Sequence, residues 1–191
     1  MTQTLYLMRH GETLFNQLGK IQGQCDSPLT ENGIAQAKLA ASYFDAQPLD
    51  HVYSSPLERC VDTTELVLHG RLDYQRDRGL KEMYFGSYEA ESKALLPKSP
   101  LDYQTFFVPF GGESTDAVQQ RLVQTLTKIM NRPDHQHVLA VSHGDAIFNF
   151  LRSFMDPLAE WQRGFTNCII FKLSYAHGRF ALADIIRQDP K

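Results

Sequence analysis

The sequence lacks the features of several large classes of protein. It has only three cysteines, Cys25, Cys60 and Cys168, an odd number without CxxC spacing, so we expect reduced thiols in a cytoplasmic protein. It has no stretch of about 18 or more apolar residues, which argues against a membrane span. Basic residues are not in excess, since the formal net charge is −3, and nothing therefore indicates nucleic-acid binding.

The N-terminal segment is a poor match to a secretion signal. The N-terminal segment MTQTLYLM has no basic region, and Arg9 interrupts its short apolar stretch, which is not typical of a signal peptide. The 191 residues, 42% of them hydrophobic, suit a single domain over residues 1–191 with a sizeable core. We therefore expect a cytoplasmic globular protein whose partners include neither nucleic acid nor a membrane.

Short apolar strands alternate with longer helical patterns along the chain. The spacing of apolar residues predicts strands over residues 5–8, 51–55 and 138–141, and helices over residues 30–44, 56–68, 116–130 and 146–154. A hairpin of residues 168–173 and 180–185 is predicted near the end. This alternation predicts an α/β fold, a three-layer α/β/α sandwich whose mainly parallel central sheet has helices on both faces.

The stretch of residues 83–112 follows a different pattern. It is rich in aromatic residues and proline and shows no clean periodicity, so we interpret it as a cap-like insertion, with one helix around residues 89–96. Its aromatic residues either shape a ligand pocket or form the core of the cap itself, and we favour the second interpretation for most of them.

Polar clusters follow three of the predicted strands. The clusters are Arg9-His10-Gly11-Glu12, Pro56-Leu57-Glu58-Arg59 and Ser142-His143-Gly144-Asp145. If the strands are parallel, all three clusters lie at the carboxyl edge of the sheet, where open α/β folds bind ligands. Two arginines and two histidines at one edge indicate an anion site, and phosphate is the best candidate because guanidinium groups match its oxygens.

Seven segments together resemble a known family. They are LYLMRHGETLFN (5–16), DSPLTENGIAQA (26–37), YSSPLERCVDTTEL (53–66), LKEMYFGSYE (80–89), GGES (111–114), VLAVSHGDAI (138–147) and TNCIIFKL (166–173). In this order they resemble the histidine phosphatase superfamily, or phosphoglycerate mutase-like family, and most closely its short phosphatase-type members. The resemblance covers nearly the whole chain.

The resemblance implies a role for each matching residue. His10 would attack phosphorus and carry the phosphoryl group, with its ring oriented by the carbonyl of Gly11. Glu82 would protonate the leaving oxygen and then activate water. Phosphate binding and charge neutralisation would fall to Arg9, Arg59 and His143, with Asn16, Gly144 and, on a closing loop, Gln22 and Gly23 as further phosphate ligands. No metal or other cofactor is implied.

Several other residues have two interpretations. Glu113 and Ser114 either touch substrate or begin a helix, and Asp145 either influences substrate choice or does nothing. Lys93 and Lys98 could meet an acidic group of the substrate, but we favour solvated side chains. The remaining residues have structural interpretations: we interpret His135 and His137 as surface histidines of a polar loop, and Cys60 as a small core residue.

We expect a phosphomonoesterase that hydrolyses small phosphorylated metabolites through phospho-His10. The first alternative is a phosphoglycerate mutase, but the family's mutases are typically longer and have GWxD where this chain has Gly23-Gln24-Cys25-Asp26. A non-catalytic phosphate-binding or interaction module is the second alternative. Hydrolysis needs a protonated Glu82 and a neutral His10, and these conflicting demands predict a pH optimum below neutrality. The sequence leaves the physiological substrate and the oligomeric state open.

Overall fold

A single mixed sheet forms the centre of the molecule. The computed structural model describes residues 2–187, and in them six strands follow the order β3-β2-β4-β1-β5-β6. The strands are β1 (Gln3–Arg9), β2 (His51–Ser54), β3 (Gln75–Arg76), β4 (His137–Ser142), β5 (Ile170–Ala176) and β6 (Arg179–Ile186). Strands β1 to β4 pair in parallel, whereas β5 and β6 add an antiparallel edge.

Six α-helices connect and cover these strands. They are α1 (Leu14–Gln17), α2 (Glu31–Phe44), α3 (Glu58–Leu68), α4 (Thr115–Met130), α5 (Gly144–Leu151) and α6 (Leu158–Arg163). Thr30 caps α2, because its hydroxyl accepts the Gly33 N–H at 3.0 Å. Among the described residues, no helix is both long and apolar enough to cross a bilayer.

The predicted boundaries of two helices were wrong. Helix α3 begins at Glu58 rather than at Pro56, because the intervening Leu57 has an extended backbone (φ −70°, ψ 137°). Helix α5 begins at Gly144 and ends at Leu151, so it covers less of the predicted 146–154 range and includes the two residues before it. The second shift matters for function, because it places the helix N-terminus directly after His143.

Alternate side chains of β1 face the two opposite layers of helices. Leu5 and Leu7 belong to the core cluster that contains the apolar faces of α4 and α5. Tyr6 and Met8 belong to a second cluster with residues of α2 and α3. Because successive strand residues point to opposite faces, this pattern confirms the three-layer sandwich. The predicted terminal hairpin is confirmed too, with His177 and Gly178 in its turn at positive φ.

The segment 83–112 contains no α-helix, so the helix predicted at residues 89–96 was wrong. Its elements are the 3-10 helices Gly86–Tyr88, Lys93–Leu95, Pro100–Asp102 and Val108–Phe110. Ala90 has a positive φ of 66°, which an α-helix does not permit. The backbone N–H groups of Ala90 and Lys93 instead donate to the carbonyls of Ile21 and Gly19, both at 2.8–2.9 Å. These long-range hydrogen bonds replace the local ones that a helix needs.

Most aromatic residues of this segment pack against one another, as predicted. The rings of Phe85 and Phe107 lie 4.9 Å apart in an edge-to-face contact, and so do those of Tyr88 and Phe110. Phe107 is fully buried among them. The segment therefore has a small aromatic core of its own.

At the amino edge of the sheet, the prediction of a surface His135 was wrong. His135 is only 1% exposed, because its two ring nitrogens have partners: Nδ1 lies 2.9 Å from the Asp134 carboxylate and Nε2 2.8 Å from the Tyr53 hydroxyl. Its ring stacks on His51 at 3.7 Å with an interplanar angle of 12°. Both histidines direct a ring nitrogen to the Asp134 carboxylate, because Nε2 of His51 also lies 3.1 Å from it. His137, which we also predicted on the surface of this loop, is instead the first residue of β4 and is half-buried.

Candidate active site

Three polar clusters meet at the carboxyl edge of the sheet, as the sequence predicted. His10 follows β1 and His143 follows the neighbouring β4, and their ring centroids lie 5.2 Å apart. Arg59 lies in the first turn of α3, the helix that follows β2, and its Nε lies 3.3 Å from Nε2 of His10. All three side chains are nearly or fully buried.

The contacts of His10 define which of its ring nitrogens carries the proton. Nδ1 lies 2.8 Å from the carbonyl oxygen of Gly11, which can only accept, so Nδ1 bears the hydrogen and Nε2 has the free electron pair. Burial lowers the pKa of His10 well below its usual value, and the charges of Arg59 and Arg9 lower it further. His10 is thus a neutral imidazole, and its Nε2 accepts the Nε–H of Arg59 at 3.3 Å.

Arg59 is held by the loop of residues 23–26. Its Nη1 donates to the Asp26 carboxylate at 2.8 Å and to the Cys25 carbonyl at 2.9 Å, and its Nη2 donates to the Gly23 carbonyl at 2.6 Å. The guanidinium is completely buried, so these partners replace its lost hydration. Sequence reasoning missed Asp26 as the counterion, although the residue lies in the DSPLT segment.

Arg9 provides an unused donor. Its Nη1 donates to the Phe165 carbonyl, whereas its Nε is buried and has no hydrogen-bond partner among residues 2–187. A buried cationic donor without a partner is costly and indicates a missing anion. A Cβ added at Gly144 would lie 3.5 Å from this Nε, which shows how closely the N-terminus of α5 approaches Arg9.

His143 occupies the N-cap position of α5. Its Nε2 lies 2.8 Å from the Ser55 hydroxyl and 3.4 Å from Sγ of Cys60. Burial lowers the pKa of His143 well below the usual value, with Arg59 and His10 contributing. Cys60 is fully buried, as expected for a small core residue, and burial raises the pKa of its thiol.

Glu82 is buried against the N-terminus of α5. Its Oε1 accepts the N–H groups of Met83 at 2.8 Å and Ala146 at 2.7 Å, and its Oε2 accepts the N–H of Asp145 at 3.2 Å. Burial raises the pKa of Glu82, while these backbone donors and Arg59 oppose the rise. A carboxyl group with a raised pKa beside a neutral imidazole is suited to proton transfer.

A cavity of about 310 Å³ opens beside these groups. Its polar wall consists of Arg9, His10, Asn16, Gln22, Glu82, Lys93, Gly144 and Asp145, and its less polar wall of Ile21, Phe85, Leu96, Tyr103, Trp161 and Phe165. Gly23, Arg59 and His143 do not line it; Arg59 and His143 contact His10 within the protein. The cavity thus has a polar wall with both cationic and acidic groups and a second wall that is mostly aromatic.

Asn16, Gln22 and Gly23, which we predicted as further phosphate ligands, have different surroundings in the structure. Asn16 Oδ1 accepts from the Thr13 N–H at 3.2 Å and from Asn167 at 3.1 Å. These hydrogen bonds use the oxygen of the side-chain amide and not its N–H groups. Both the oxygen and the nitrogen of the Gln22 amide form hydrogen bonds within the protein. At Gly23, an added Cβ would lie 2.7 Å from the Met83 carbonyl, so only glycine fits and its carbonyl holds Arg59.

Two interpretations that the sequence left open are now decided. Ser114 begins α4, because its hydroxyl accepts the Ala117 N–H at 3.2 Å. Glu113 forms an ion pair with Arg121 at 2.9 Å, and neither Glu113 nor Ser114 lines the cavity. Lys93 is exposed, as expected of a solvated side chain, and it also borders the cavity.

Comparison with known proteins agrees with this geometry. Residues 5–187 match the family model of the histidine phosphatase superfamily (branch 1). The chain belongs to the histidine phosphatase superfamily. The resemblance noted in the sequence is thereby confirmed, and with it the expectation of an enzyme of this superfamily, which contains both phosphatases and phosphoglycerate mutases.

Three relatives illustrate the range of this superfamily. The probable phosphoglycerate mutase GpmB of Proteus mirabilis is 33% identical over 181 residues, which cover 90% of this chain and 84% of that protein. The adenosylcobalamin/alpha-ribazole phosphatase of Salmonella typhimurium is 37% identical over 148 residues, 73% of each chain. The solved structure of a phosphoserine phosphatase mutant from Entamoeba histolytica, in complex with phosphoserine, has a TM-score of 0.82 at 29% identity, with 96% of both chains covered.

Proposed function

We propose that this protein is a phosphomonoesterase that hydrolyses small phosphorylated metabolites through a covalent phosphohistidine at His10. The observation that carries the proposal is the neutral His10 ring, whose Nδ1–H is committed to Gly11 and which lines a cavity together with Arg9, whose Nε has no hydrogen-bond partner among residues 2–187. A nucleophile and an anion-binding donor at one cavity suit phosphoryl transfer.

In the first step, the phosphate dianion binds between Nε of Arg9, the N–H of Gly144 and the amide of Asn16. Nε2 of His10 then attacks phosphorus, the bond from phosphorus to the ester oxygen breaks, and Glu82 donates its proton to the leaving alkoxide. Arg59 and His143 stabilise the charge that develops during transfer, because both are preorganised around His10.

In the second step, Glu82, now ionised, removes a proton from a water molecule. The water oxygen attacks the phosphohistidine, the bond from phosphorus to Nε2 breaks, and inorganic phosphate leaves with neutral His10 restored. The same carboxyl group thus acts first as acid and then as base. The pKa directions support this assignment, because a lowered pKa keeps His10 neutral and a raised pKa keeps part of Glu82 protonated at the same pH.

The relatives support a small phosphate monoester as substrate, since their names include alpha-ribazole and phosphoserine phosphatases. We further propose that residues 1–191 form one domain, in which the segment 83–112 acts as a cap and supplies Phe85, Lys93, Leu96 and Tyr103 to the leaving-group side of the cavity.

A phosphoglycerate mutase is the second candidate, and the 33% identity to a probable mutase favours it. The two activities differ in the acceptor of the phosphoryl group, which is water in one case and a substrate hydroxyl in the other. We favour water because Gln24 and Cys25 occupy the positions between Gly23 and Asp26, where the mutase pattern has a tryptophan.

One assay separates the two candidates. Purified protein is incubated with 3-phosphoglycerate and, separately, with p-nitrophenyl phosphate, and ³¹P NMR measures both free phosphate and 2-phosphoglycerate. We expect free phosphate as the main product, at a rate unchanged by EDTA. Isomerisation faster than phosphate release would establish the mutase instead, and p-nitrophenyl phosphate turnover that persists in His10→Ala would contradict the role of His10.

A further inference from the structure

Asp145 is an acidic group of the cavity wall that the proposed steps do not use. It lies in the first turn of α5, and its Oδ1 is buried without a hydrogen-bond partner among residues 2–187. Within the same residues, no ion pair joins it to Lys93 or to Arg9, which contacts the Phe165 carbonyl instead. A carboxylate oxygen without a partner in a cavity wall lacks a donor that a ligand can supply.

The position of Asp145 defines which part of a substrate it meets. The backbone N–H of Asp145 donates to Oε2 of Glu82 at 3.2 Å, so the two residues are neighbours at the N-terminus of α5. Glu82 must lie beside the leaving oxygen in order to protonate it. Asp145 therefore lies on the alcohol side of the ester, whereas Arg9 and His10 face the phosphoryl group.

The surroundings of Asp145 favour a cationic group in this part of the cavity. The rings of Tyr103, Trp161 and Phe165 line the same space, and aromatic faces attract ammonium groups as carboxylates do. Burial and the neighbouring Glu82 raise the pKa of Asp145 to about 7, with Arg9 and Lys93 opposing. A bound cation would relieve this penalty, because it stabilises the ionised carboxylate.

We propose that Asp145 is a specificity-determining residue, which selects phosphate monoesters whose alcohol carries an ammonium group close to the ester oxygen. Amino-alcohol phosphates and phosphorylated hydroxy-amino acids have this chemistry. Lys93, at the same cavity and without an ion-pair partner among residues 2–187, meets a carboxylate on the same alcohol. The inference rests on the proposed function, because the position of the alcohol follows from the role of Glu82.

A matched pair of substrates isolates the ammonium group. O-phospho-L-serine and 3-phosphoglycerate have the same carbon skeleton and carboxylate and differ in an ammonium instead of a hydroxyl group. We expect the native enzyme to favour O-phospho-L-serine in kcat/KM by roughly tenfold to a hundredfold, the range of a charge-assisted hydrogen bond. In the nearly isosteric Asp145→Asn variant, this ratio falls to within about threefold of unity.

Two variants serve as controls for this ratio. Asp116→Asn makes the same chemical change in the first turn of another helix, α4, where the side chain is exposed, and it should leave the ratio as in the native enzyme. Asp145→Glu keeps the charge and should retain the preference for the ammonium ester, which tests the account even if Asp145→Asn folds poorly. Lys93→Gln should lower kcat/KM for O-phospho-L-serine several-fold relative to that for phosphoethanolamine, which has no carboxylate.

Binding measurements separate this inference from the proposed function. Calorimetry on His10→Ala compares the affinities of O-phospho-L-serine and 3-phosphoglycerate without turnover. Tighter binding of the ammonium ester, lost in His10→Ala/Asp145→Asn, supports the selection by Asp145 even if no ester is hydrolysed. Equal binding of the two esters, or a native kcat/KM ratio that Asp145→Asn leaves unchanged, would overturn it, while His10-dependent hydrolysis of p-nitrophenyl phosphate would still support the proposed function.

Discussion

The two edges of the sheet each contain a buried histidine, and their differences show what burial alone does not decide. His10 at the carboxyl edge is 3% exposed and His135 at the amino edge 1% exposed, and burial lowers the pKa of both. Each has an arginine nearby, because Arg59 contacts His10 and Arg132 donates to Tyr53, the partner of His135. By these measures the two histidines are alike.

They differ in what their second ring nitrogen contacts. Nε2 of His135 lies 2.8 Å from the Tyr53 hydroxyl, and its ring is covered by His51, so the imidazole is fully used within the fold. Nε2 of His10 accepts only a long hydrogen bond from Nε of Arg59, at 3.3 Å, and the residue lines a cavity. A histidine becomes available for chemistry when the fold satisfies one nitrogen and leaves the other at a cavity with anion donors.

The largest effect expected is from removing the two histidines in turn. His10→Ala should lower kcat for phosphate release roughly 10³-fold or more, because the nucleophile is lost. His135→Ala should leave kcat within about threefold but lower the free energy of unfolding by about 1–3 kcal/mol, because Tyr53 and Asp134 lose a buried partner. Steady-state assays measure kcat, and denaturant titration measures the free energy of unfolding. Similar losses of activity in both variants would contradict the distinction between the two edges of the sheet.

The second prediction concerns proton transfer at the carboxyl edge. Glu82→Gln should lower kcat roughly 10²- to 10³-fold for an alkyl phosphate, because a poor leaving group needs a proton. With p-nitrophenyl phosphate the loss of the burst rate should be under about tenfold, since nitrophenolate leaves without one. The burst isolates the first step from the second. Equal losses with both esters would exclude Glu82 as the acid.

The third prediction compares the carboxylates that accompany the two histidines. Asp26→Asn removes the charge that pairs with the fully buried Arg59, so we expect the free energy of unfolding to fall by about 1–3 kcal/mol and kcat/KM to fall roughly tenfold or more. Asp134→Asn should leave the stability close to that of the native protein, because the Asp134 side chain is 65% exposed. Thermal and chemical denaturation of both variants provide the comparison.

The smallest effect expected is in the pH profile. His10 is reactive above its pKa, which is lowered, and Glu82 is an acid below its pKa, which is raised. Loss of activity toward acid pH therefore reports protonation of His10, and loss toward alkaline pH reports ionisation of Glu82. We expect kcat/KM for an alkyl phosphate to be bell-shaped, and Glu82→Gln to lose the alkaline decline only. A Glu82→Gln profile identical in shape to the native one would contradict this assignment.

These shifts also resolve a conflict that the sequence could not. With ordinary pKa values, a neutral His10 and a protonated Glu82 occur together only rarely. The fold shifts the two values toward each other by burying both groups, and it places two arginines beside His10. Neither the burial of His10 and Glu82 nor the distance of the arginines from His10 can be calculated from residue spacing, because both depend on loops that meet only after folding.

Five of the six strands and the meeting of their polar ends could be predicted from local patterns, whereas the two-residue β3 was missed. Apolar runs specify the strands, and parallel pairing brings the residues that follow them together. The contacts of Arg59 with the loop of residues 23–26 could not, since loop conformation is not encoded in periodicity. The false helix at residues 89–96 has the same origin, because hydrogen bonds to residues 19 and 21 override the local preference.

The measurement that tests the central claim most directly is the position of the covalent phosphoryl group. Rapid quenching of the enzyme during turnover of p-nitrophenyl phosphate, at alkaline pH where phosphohistidine survives, is followed by peptide mass spectrometry. We expect one phosphoryl group on His10 and none on His135. The amount of phospho-His10 should be larger in Glu82→Gln, because loss of the base slows hydrolysis of the intermediate. A phosphoryl group on His143, or turnover without any phosphohistidine, would contradict the account.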